Sequence, residues 1–286
     1  MGDAGTTSIA PADARGRVPR ISPLLWRWFG WYAERALRKS FHAVRVDPTG
    51  ADPATPGDVP VIIYSNHPSW WDPMVAIFLA RRWFPDRRHY WPIDAAMLEK
   101  YRFFGKLGFF GVEPGTARGG ASFLRTATAA LAPPGDACLW IAAEGEFADV
   151  RRRPLRLRPG LAHLARRLGR ARILPLALEY AFWTERTPEV LVRVGESIEI
   201  DGGGAARDVE DWQADLARRL EVNLDALSAP TMGRDPAQFT TLLGGAAGTN
   251  WAYDAWRRAR AAVSGRRFDP AHMPEPRPAA PGGGRP

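Results

Sequence analysis

The sequence has a single cysteine, Cys138, so no disulfide bond can form within the chain. Disulfides persist in oxidising compartments, and their exclusion favours a reducing, cytosolic location. Cys138 lies in an apolar run that predicts a strand, where a thiol behaves as a small buried hydrophobe. The sequence also lacks the roughly 18 consecutive apolar residues that a spanning helix requires. We therefore expect a protein that does not cross a membrane.

Metal-binding and serine-hydrolase motifs are missing as well. None of the five histidines stands in a His-Glu-x-x-His pattern, and there is no Cys-x-x-Cys pair. No Gly-x-Ser-x-Gly elbow surrounds Ser69. We therefore predict no metal and no organic cofactor, and we expect each lone histidine to be a core or surface residue.

Positive charge and tryptophan are both abundant. A formal net charge of +8 predicts an anionic partner, either a phospholipid surface or nucleic acid. The 12 tryptophans favour the membrane surface, because indole rings prefer the lipid–water interface. No nucleic-acid-binding module is recognisable, so no nucleic acid is expected as a partner.

The most informative segment is an apolar run at residues 60–64, which predicts a buried strand and leads into His67 and Asp72. A neutral imidazole can take a proton from a hydroxyl, and a carboxylate on its other ring nitrogen fixes the tautomer and stabilises the imidazolium. Asp72 followed by Pro73 also fits a helix N-cap with proline at the first helical position. The two interpretations are compatible, and the pair predicts activation of an alcohol.

Further motifs follow in a particular order. They lie at residues 94–101, 109–114, 139–146, 158–162 and 173–177. With His67 and Asp72 at their head, they resemble the glycerol-phosphate and lysophosphatidate (1-acylglycerol-3-phosphate) acyltransferase family, within the lysophospholipid acyltransferase superfamily. The resemblance covers roughly residues 58 to 200, and the order of the motifs is more specific than any one of them.

The resemblance implies catalytic roles for His67 as general base and Asp72 as its partner. It also implies acyl transfer from acyl-CoA or acyl carrier protein to a lipid hydroxyl, without a covalent acyl-enzyme. Backbone N–H groups at the start of the following helix are candidates to hold the oxyanion. Glu144 and Gly145 match the third family motif and are predicted to bind the acceptor.

Two positions depart from the family pattern. Pro114 and Phe147 stand where family members usually carry arginines linked to the acceptor phosphate. Other arginines can substitute, and we predict Arg118 and Arg158 as substrate-binding residues. Alternatively, the acceptor has no phosphate and is a glycolipid or a glycosylated isoprenoid. The arginines of residues 151–158 fit a solvated basic face equally well.

The pattern of strands and helices predicts the fold class. Apolar runs predict strands at 61–64, 89–92, 137–142, 173–179 and 190–194, and helical periodicity is found at 73–82, 121–132, 160–168 and 208–227. This alternation predicts an α/β fold with a mostly parallel or mixed sheet flanked by helices.

Five segments are expected along the chain. Residues 1–20 form a flexible tail without the apolar core of a signal peptide, 21–44 an amphipathic membrane-associating helix, 45–228 the acyltransferase domain, 229–269 a helical C-terminal extension, and 270–286 a disordered tail. The alternative for residues 21–44 is an ordinary amphipathic helix packed on the core.

The sequence therefore predicts a peripheral acyltransferase at the cytoplasmic face of the cell membrane. Lysophosphatidate is the default acceptor and a non-phosphate lipid alcohol the first alternative. An alternative of another class is a non-catalytic basic protein that binds membranes or nucleic acid, although such a protein has no use for His67 and Asp72 together.

Overall fold

The computed structural model describes residues 17–54 and 58–245. Most of the predicted N-terminal tail, the predicted tail at 270–286, and residues 246–269 of the predicted extension lie outside these ranges. Among the described residues no helix is both long and apolar enough to cross a bilayer.

The described residues contain nine strands, which form one sheet. The strands are β1 (Ala43–Val46), β2 (Val61–Ser65), β3 (Arg88–Asp94), β4 (Phe109–Val112), β5 (Ala137–Ala142), β6 (Arg170–Ala181), β7 (Glu189–Val194), β8 (Ile198–Asp201) and β9 (Thr240–Gly244). Their order is β4-β3-β5-β2-β6-β7-β1-β9, and β8 pairs with β6 beside this path. Most pairs are parallel, which confirms the predicted fold class.

Six α-helices accompany the sheet in the described part of the chain. They are α1 (Pro23–Ser40), α2 (Asp72–Trp83), α3 (Ala95–Lys100), α4 (Ala117–Ala130), α5 (Gly160–Arg167) and α6 (Val209–Gly233). Short 3₁₀ turns lie at Arg102–Leu107, Gly204–Ala206 and Pro236–Gln238. Apolar side chains of α4, α5 and α6 pack in one core cluster and those of α1 and α2 in another.

Strand β2 lies in the middle of the sheet because it is apolar on both faces. Its residues are almost all buried, as expected of a parallel strand covered by helices on both sides. In register, Ser65 lies between Ala142 of β5 and Leu176 of β6. The loops that follow β2 and β5 therefore emerge side by side at one edge of the sheet, and β6 continues past that edge.

Helix α1 starts with Ser22 as its cap and Pro23 in its first turn. It buries only part of its apolar side chains. Phe29 and Leu37 pack into the core, whereas Trp28 remains 55% exposed and Tyr32 46% exposed. The core selects one side of an aromatic-rich helix, and a second aromatic side is left facing solvent.

The C-terminal part differs from the predicted helical extension. Residue 228 lies inside α6, whose predicted core stripe is buried, and Thr240–Gly244 forms β9, antiparallel to β1. Leu243 of β9 is 4% exposed, so this strand closes the edge of the main core. The remaining boundaries between the five predicted segments stay predictions.

Two adjacent glycines of α4 provide a matched test of packing. A Cβ atom at Gly119 would overlap the carbonyl oxygen of Glu113, whereas one at Gly120 would meet no atom within 4 Å. We expect Gly119→Ala to lower the free energy of unfolding by about 1–3 kcal/mol, because the backbone must shift. Gly120→Ala should raise it by about 0.5–1 kcal/mol through its higher helix propensity. Chemical denaturation measures both, and equal effects would contradict this packing.

Candidate active site

The site is built on the loop that joins β2 to α2. Asn66, the first residue of this loop, is 1% exposed and forms a two-way contact with the backbone of β6. Its amide nitrogen donates to the carbonyl oxygen of Leu178 at 2.9 Å, and its amide oxygen accepts from the Leu178 N–H at 2.9 Å. This contact continues the ladder between β2 and β6 by one residue, and it fixes the position at which the backbone enters His67.

The backbone of His67 is held by the loop that follows β5. Its N–H donates to Oε2 of Glu144 at 3.2 Å, and its carbonyl oxygen accepts from the N–H of Ala148 at 3.0 Å. Both polar groups of this peptide are therefore satisfied by one neighbouring loop. The backbone of His67 is fixed independently of its side chain.

The side chain of His67 is bonded to Asp72. Its Nδ1 lies 2.6 Å from Oδ2 of Asp72, and the two side chains are 18% and 7% exposed. With Nδ1 engaged by a carboxylate, Nε2 is the nitrogen that can accept a proton. The structure brings together the two residues that the sequence predicts as base and partner.

Asp72 does not cap α2 as the sequence predicts. It is the first residue of the helix, the cap position is Trp71, and no side chain caps this end. The carboxylate of Asp72 instead turns back, and its Oδ2 also accepts from the N–H of Ser69 at 3.2 Å. A negative charge in the first turn still interacts favourably with the helix dipole.

Three backbone N–H groups at the start of α2 are already engaged. The N–H of Ser69 bonds to Asp72, that of Trp71 to Oγ of Ser69 at 3.2 Å, and that of Asp72 to the carbonyl oxygen of Ser69 at 3.1 Å. Pro73, the next residue, has no N–H to offer. These three donors stabilise the turn that carries His67 and Asp72, and binding of an oxyanion at the helix start stays a prediction.

A tyrosine that was not predicted from the sequence completes the environment of Asp72. The hydroxyl of Tyr180, in β6, donates to Oδ1 of Asp72 at 2.6 Å. Burial, reinforced by the adjacent Asp72 carboxylate, raises the pKa of the Tyr180 hydroxyl well above its usual value. The hydroxyl is therefore protonated at neutral pH and acts as a donor. No sequence motif marks Tyr180, because it lies 108 positions from its partner.

Glu144 lies beneath the site. Glu144 is 3% exposed, and its carboxylate contacts the His67 backbone. Burial raises the pKa of Glu144, while the His67 N–H and the positive charge of Arg152 act in the opposite direction. The observed contact holds the backbone of His67 in place. Binding of the acceptor by Glu144 stays a prediction.

Gly145 and Arg158 are brought into contact with each other. Gly145 adopts a φ of +64°, which favours glycine. A Cβ atom there would lie 2.8 Å from Cγ of Arg158, whose own N–H bonds to the carbonyl oxygen of Ala143 at 2.8 Å. Glycine thus permits the turn after β5 that leads the chain past His67 and lets the Arg158 side chain lie across it.

Arg118 is not joined to this group. It is exposed in the first turn of α4, next to the end of β4. Strand β4 lies three positions from β2 in the sheet, or about 14 Å at the usual strand spacing. Within the described residues no hydrogen bond or ion pair connects Arg118 to the dyad or to Glu144. Its role in binding stays a prediction.

An aromatic ring lies against the base. The ring centroid of Phe147 is 4.3 Å from that of His67, with an angle of 33° between the planes, and the residue is 61% exposed. Three arginines of the same loop pair with carboxylates: Arg151 with Asp149, Arg152 with Glu146, and Arg153 with Asp225. An aromatic ring therefore lies against His67, and three arginines of this loop have acidic partners. Among the described residues no ion pair is found for Arg156 or Arg158 of the same loop.

The remaining candidates for chemistry are structural. His89 is 2% exposed, its Nε2 lies 3.0 Å from the carbonyl oxygen of Phe84, and its Nδ1 accepts from Trp140. Burial lowers the pKa of His89 to about 4. Cys138 is buried as predicted, and burial raises the pKa of its thiol to about 12. In residues 17–54 and 58–245 no cluster of three metal-binding side chains is found.

Comparison with known proteins finds a matching family model and a similar structure. The family model described as Acyltransferase matches residues 45–179. Among solved structures, the chain is similar to the crystal structure of the 1-acyl-sn-glycerophosphate (LPA) acyltransferase, PlsC, from Thermotoga maritima, at 15% sequence identity. This similarity covers 72% of this chain and 80% of that chain, with a TM-score of 0.48. Comparison with curated proteins finds no significant match.

Proposed function

We propose that this protein moves a fatty acyl group from acyl-CoA or acyl carrier protein to a lipid hydroxyl, with His67 as general base, and the match of residues 45–179 to the acyltransferase family model supports acyl transfer. The observation that carries the proposal is the 2.6 Å contact between Nδ1 of His67 and Oδ2 of Asp72. It leaves Nε2 to accept the proton of an incoming alcohol.

In the proposed reaction, His67 first takes a proton from the acceptor and later gives it to the leaving group. Nε2 of His67 removes the hydroxyl proton while the oxygen attacks the carbonyl carbon of the thioester. The tetrahedral intermediate collapses, the C–S bond breaks, and the leaving thiolate takes the proton from the imidazolium. The products are an ester and a free thiol. Asp72 stabilises the imidazolium and is not itself protonated.

The lipid acceptor requires access to a bilayer, and the exposed side of α1 is suited to one. Leu24, Trp28, Trp31 and Tyr32 recur on one face of the helix and are 79%, 55%, 58% and 46% exposed. Arg35 lies with its guanidinium 6.0 Å from the Trp31 ring. Aromatic rings beside basic residues favour an anionic lipid surface. We propose peripheral attachment at the cytoplasmic face, where thioester donors are available.

The default acceptor is a lysophosphatidate-like lipid, and a specific observation favours a second candidate. Phe147 lies against His67, and Arg151, Arg152 and Arg153 each pair with a carboxylate. A phosphate close to the reacting hydroxyl is best bound by a guanidinium fork, whereas an aromatic ring suits a neutral, sugar-like or isoprenoid-like group. A lipid alcohol without phosphate is therefore the second candidate.

The role of His67 is tested by transfer of a labelled long-chain acyl group into a lipid extract supplemented with lysophosphatidate. Acyl-CoA and acyl carrier protein are supplied as parallel donors. We expect His67→Ala to lower the rate by at least roughly 10²-fold, because no group remains to take the hydroxyl proton. His163→Ala, on the exposed side of α5, is the matched control and should keep the wild-type rate.

A labelled ester that His67→Ala still forms at the wild-type rate would contradict the general-base role. Absence of any product from both donors, together with salt-sensitive binding of nucleic acid, would favour the non-catalytic alternative. A labelled product other than phosphatidate would identify the acceptor directly.

The membrane surface of α1 is tested by co-sedimentation with vesicles that contain anionic phospholipid. We expect Trp28→Ala combined with Trp31→Ala to lower the partition coefficient about tenfold or more, since two exposed indole rings are removed. Val222→Ala combined with Met232→Ala, which removes exposed apolar side chains from α6, should leave partitioning unchanged. Equal losses in both variants, or none in the first, would exclude α1 as the docking surface.

Acceptor choice is tested by placing a guanidinium next to His67. We expect Phe147→Arg to raise activity on lysophosphatidate, relative to a neutral glycolipid with a free hydroxyl, roughly tenfold or more, the size of one charge-assisted hydrogen bond. Val222→Arg adds the same charge on α6 and should not change the ratio. An unchanged ratio in Phe147→Arg would show that the acceptor group does not contact this position.

A further inference from the structure

We propose that Tyr180 is a positioning residue for acyl transfer, which holds the Asp72 carboxylate in the one orientation that keeps it bonded to His67. This inference rests on the proposed role of His67 as general base. Tyr180 touches Asp72 and does not contact the His67 ring, so its effect on the reaction passes through the carboxylate.

The two oxygens of Asp72 have separate partners. Oδ2 accepts from the N–H of Ser69 and bonds Nδ1 of His67, while Oδ1 accepts from the Tyr180 hydroxyl at 2.6 Å. Asp72 is 5% exposed, so water cannot readily replace a lost partner. Without Tyr180, Oδ1 would be a buried oxygen lacking a donor, and rotation of the carboxylate would be opposed less.

The position of the hydroxyl is itself well determined. Tyr180 pairs with Val190 of β7 in the sheet, and its ring lies 5.7 Å from that of Phe41 at the end of α1. The same Phe41 ring packs edge-on against Trp71, 5.1 Å away and one residue before Asp72. The donor and the carboxylate are thus backed by a common aromatic contact.

Strand β6 therefore holds the dyad loop at both of its ends. The Leu178 backbone binds the side chain of Asn66, which precedes His67, and Tyr180 binds Asp72 two residues further along the strand. These contacts fix the two ends of the loop to one rigid element. The distance between base and carboxylate is then a property of β6 as much as of the loop.

Tyr180 also suits the charge that develops in the reaction. A neutral hydroxyl that donates a hydrogen bond to Oδ1 stabilises the negative charge of the carboxylate beside the imidazolium. The hydroxyl is uncharged and binds the other carboxylate oxygen. It therefore orients Asp72 without replacing the bond between Asp72 and His67.

The test is Tyr180→Phe, which keeps the ring on Phe41 and removes only the hydroxyl. We expect kcat for acyl transfer to fall about tenfold, as for outer partners of other functional histidines, with KM for both substrates unchanged. The proton resonance of Nδ1–H of His67, shifted downfield by its bond to Asp72, should move or broaden in proton NMR of the full chain. If Tyr180 only stabilised the fold, Tyr180→Phe would neither lower kcat selectively over KM nor change this resonance.

The matched control is Tyr64→Phe. Its hydroxyl is buried and donates to the carbonyl oxygen of Leu216 at 3.0 Å, on the α6 side of the sheet. This variant removes one buried tyrosine hydroxyl as well, and it should lower thermal stability without affecting kcat or the His67 resonance. Tyr180→Phe with wild-type kcat and an unchanged resonance would overturn the proposal.

Failure of the proposed function is distinguishable from failure of this inference. If the wild-type protein transfers no acyl group from either donor, the proposed function fails. The NMR comparison of Tyr180→Phe with Tyr64→Phe still decides whether Tyr180 orients Asp72, since it requires no substrate.

Discussion

The 2.6 Å contact between His67 and Asp72 is the interaction on which the site depends, and most of the surrounding structure serves to hold it. A short charge-assisted bond between two largely buried side chains forms only where the backbone fixes both ends. Asn66 bonds the start of the loop to β6, and Glu144 fixes the His67 peptide from the β5 side. The dyad is therefore positioned by three adjacent strands rather than by its own loop alone.

The same contacts compensate for the free-energy cost of burying the Asp72 carboxylate. Asp72 is nearly inaccessible to solvent, yet it receives hydrogen bonds from Ser69 and Tyr180 in addition to His67. A buried carboxylate with fewer donors would be less well compensated for the loss of its hydration. The tyrosine thus contributes both to stability and to the proposed chemistry.

The surface around His67 and Asp72 is formed by aromatic side chains and arginines. The ring of Phe147 packs against His67, whereas the arginines at 151–153 pair with nearby carboxylates and remain partly solvated. Exposed ion pairs of this kind contribute little to stability. The exposed aromatic side of α1 has the chemistry that the proposed attachment to an anionic lipid surface requires.

The sequence by itself determined the α/β fold class, the central strands, the buried apolar face of α6, and the pairing of His67 with Asp72. These features depend on local periodicity or on neighbours a few residues apart. Short strands such as β1 and β9 carry too little pattern to be found, and the exposed side of α1 was decided by what packed against it. Only the tertiary structure placed Tyr180 on Asp72 and Glu144 beneath His67, since the pairing of β2 with β5 and β6 joins residues 77 and 108 positions apart.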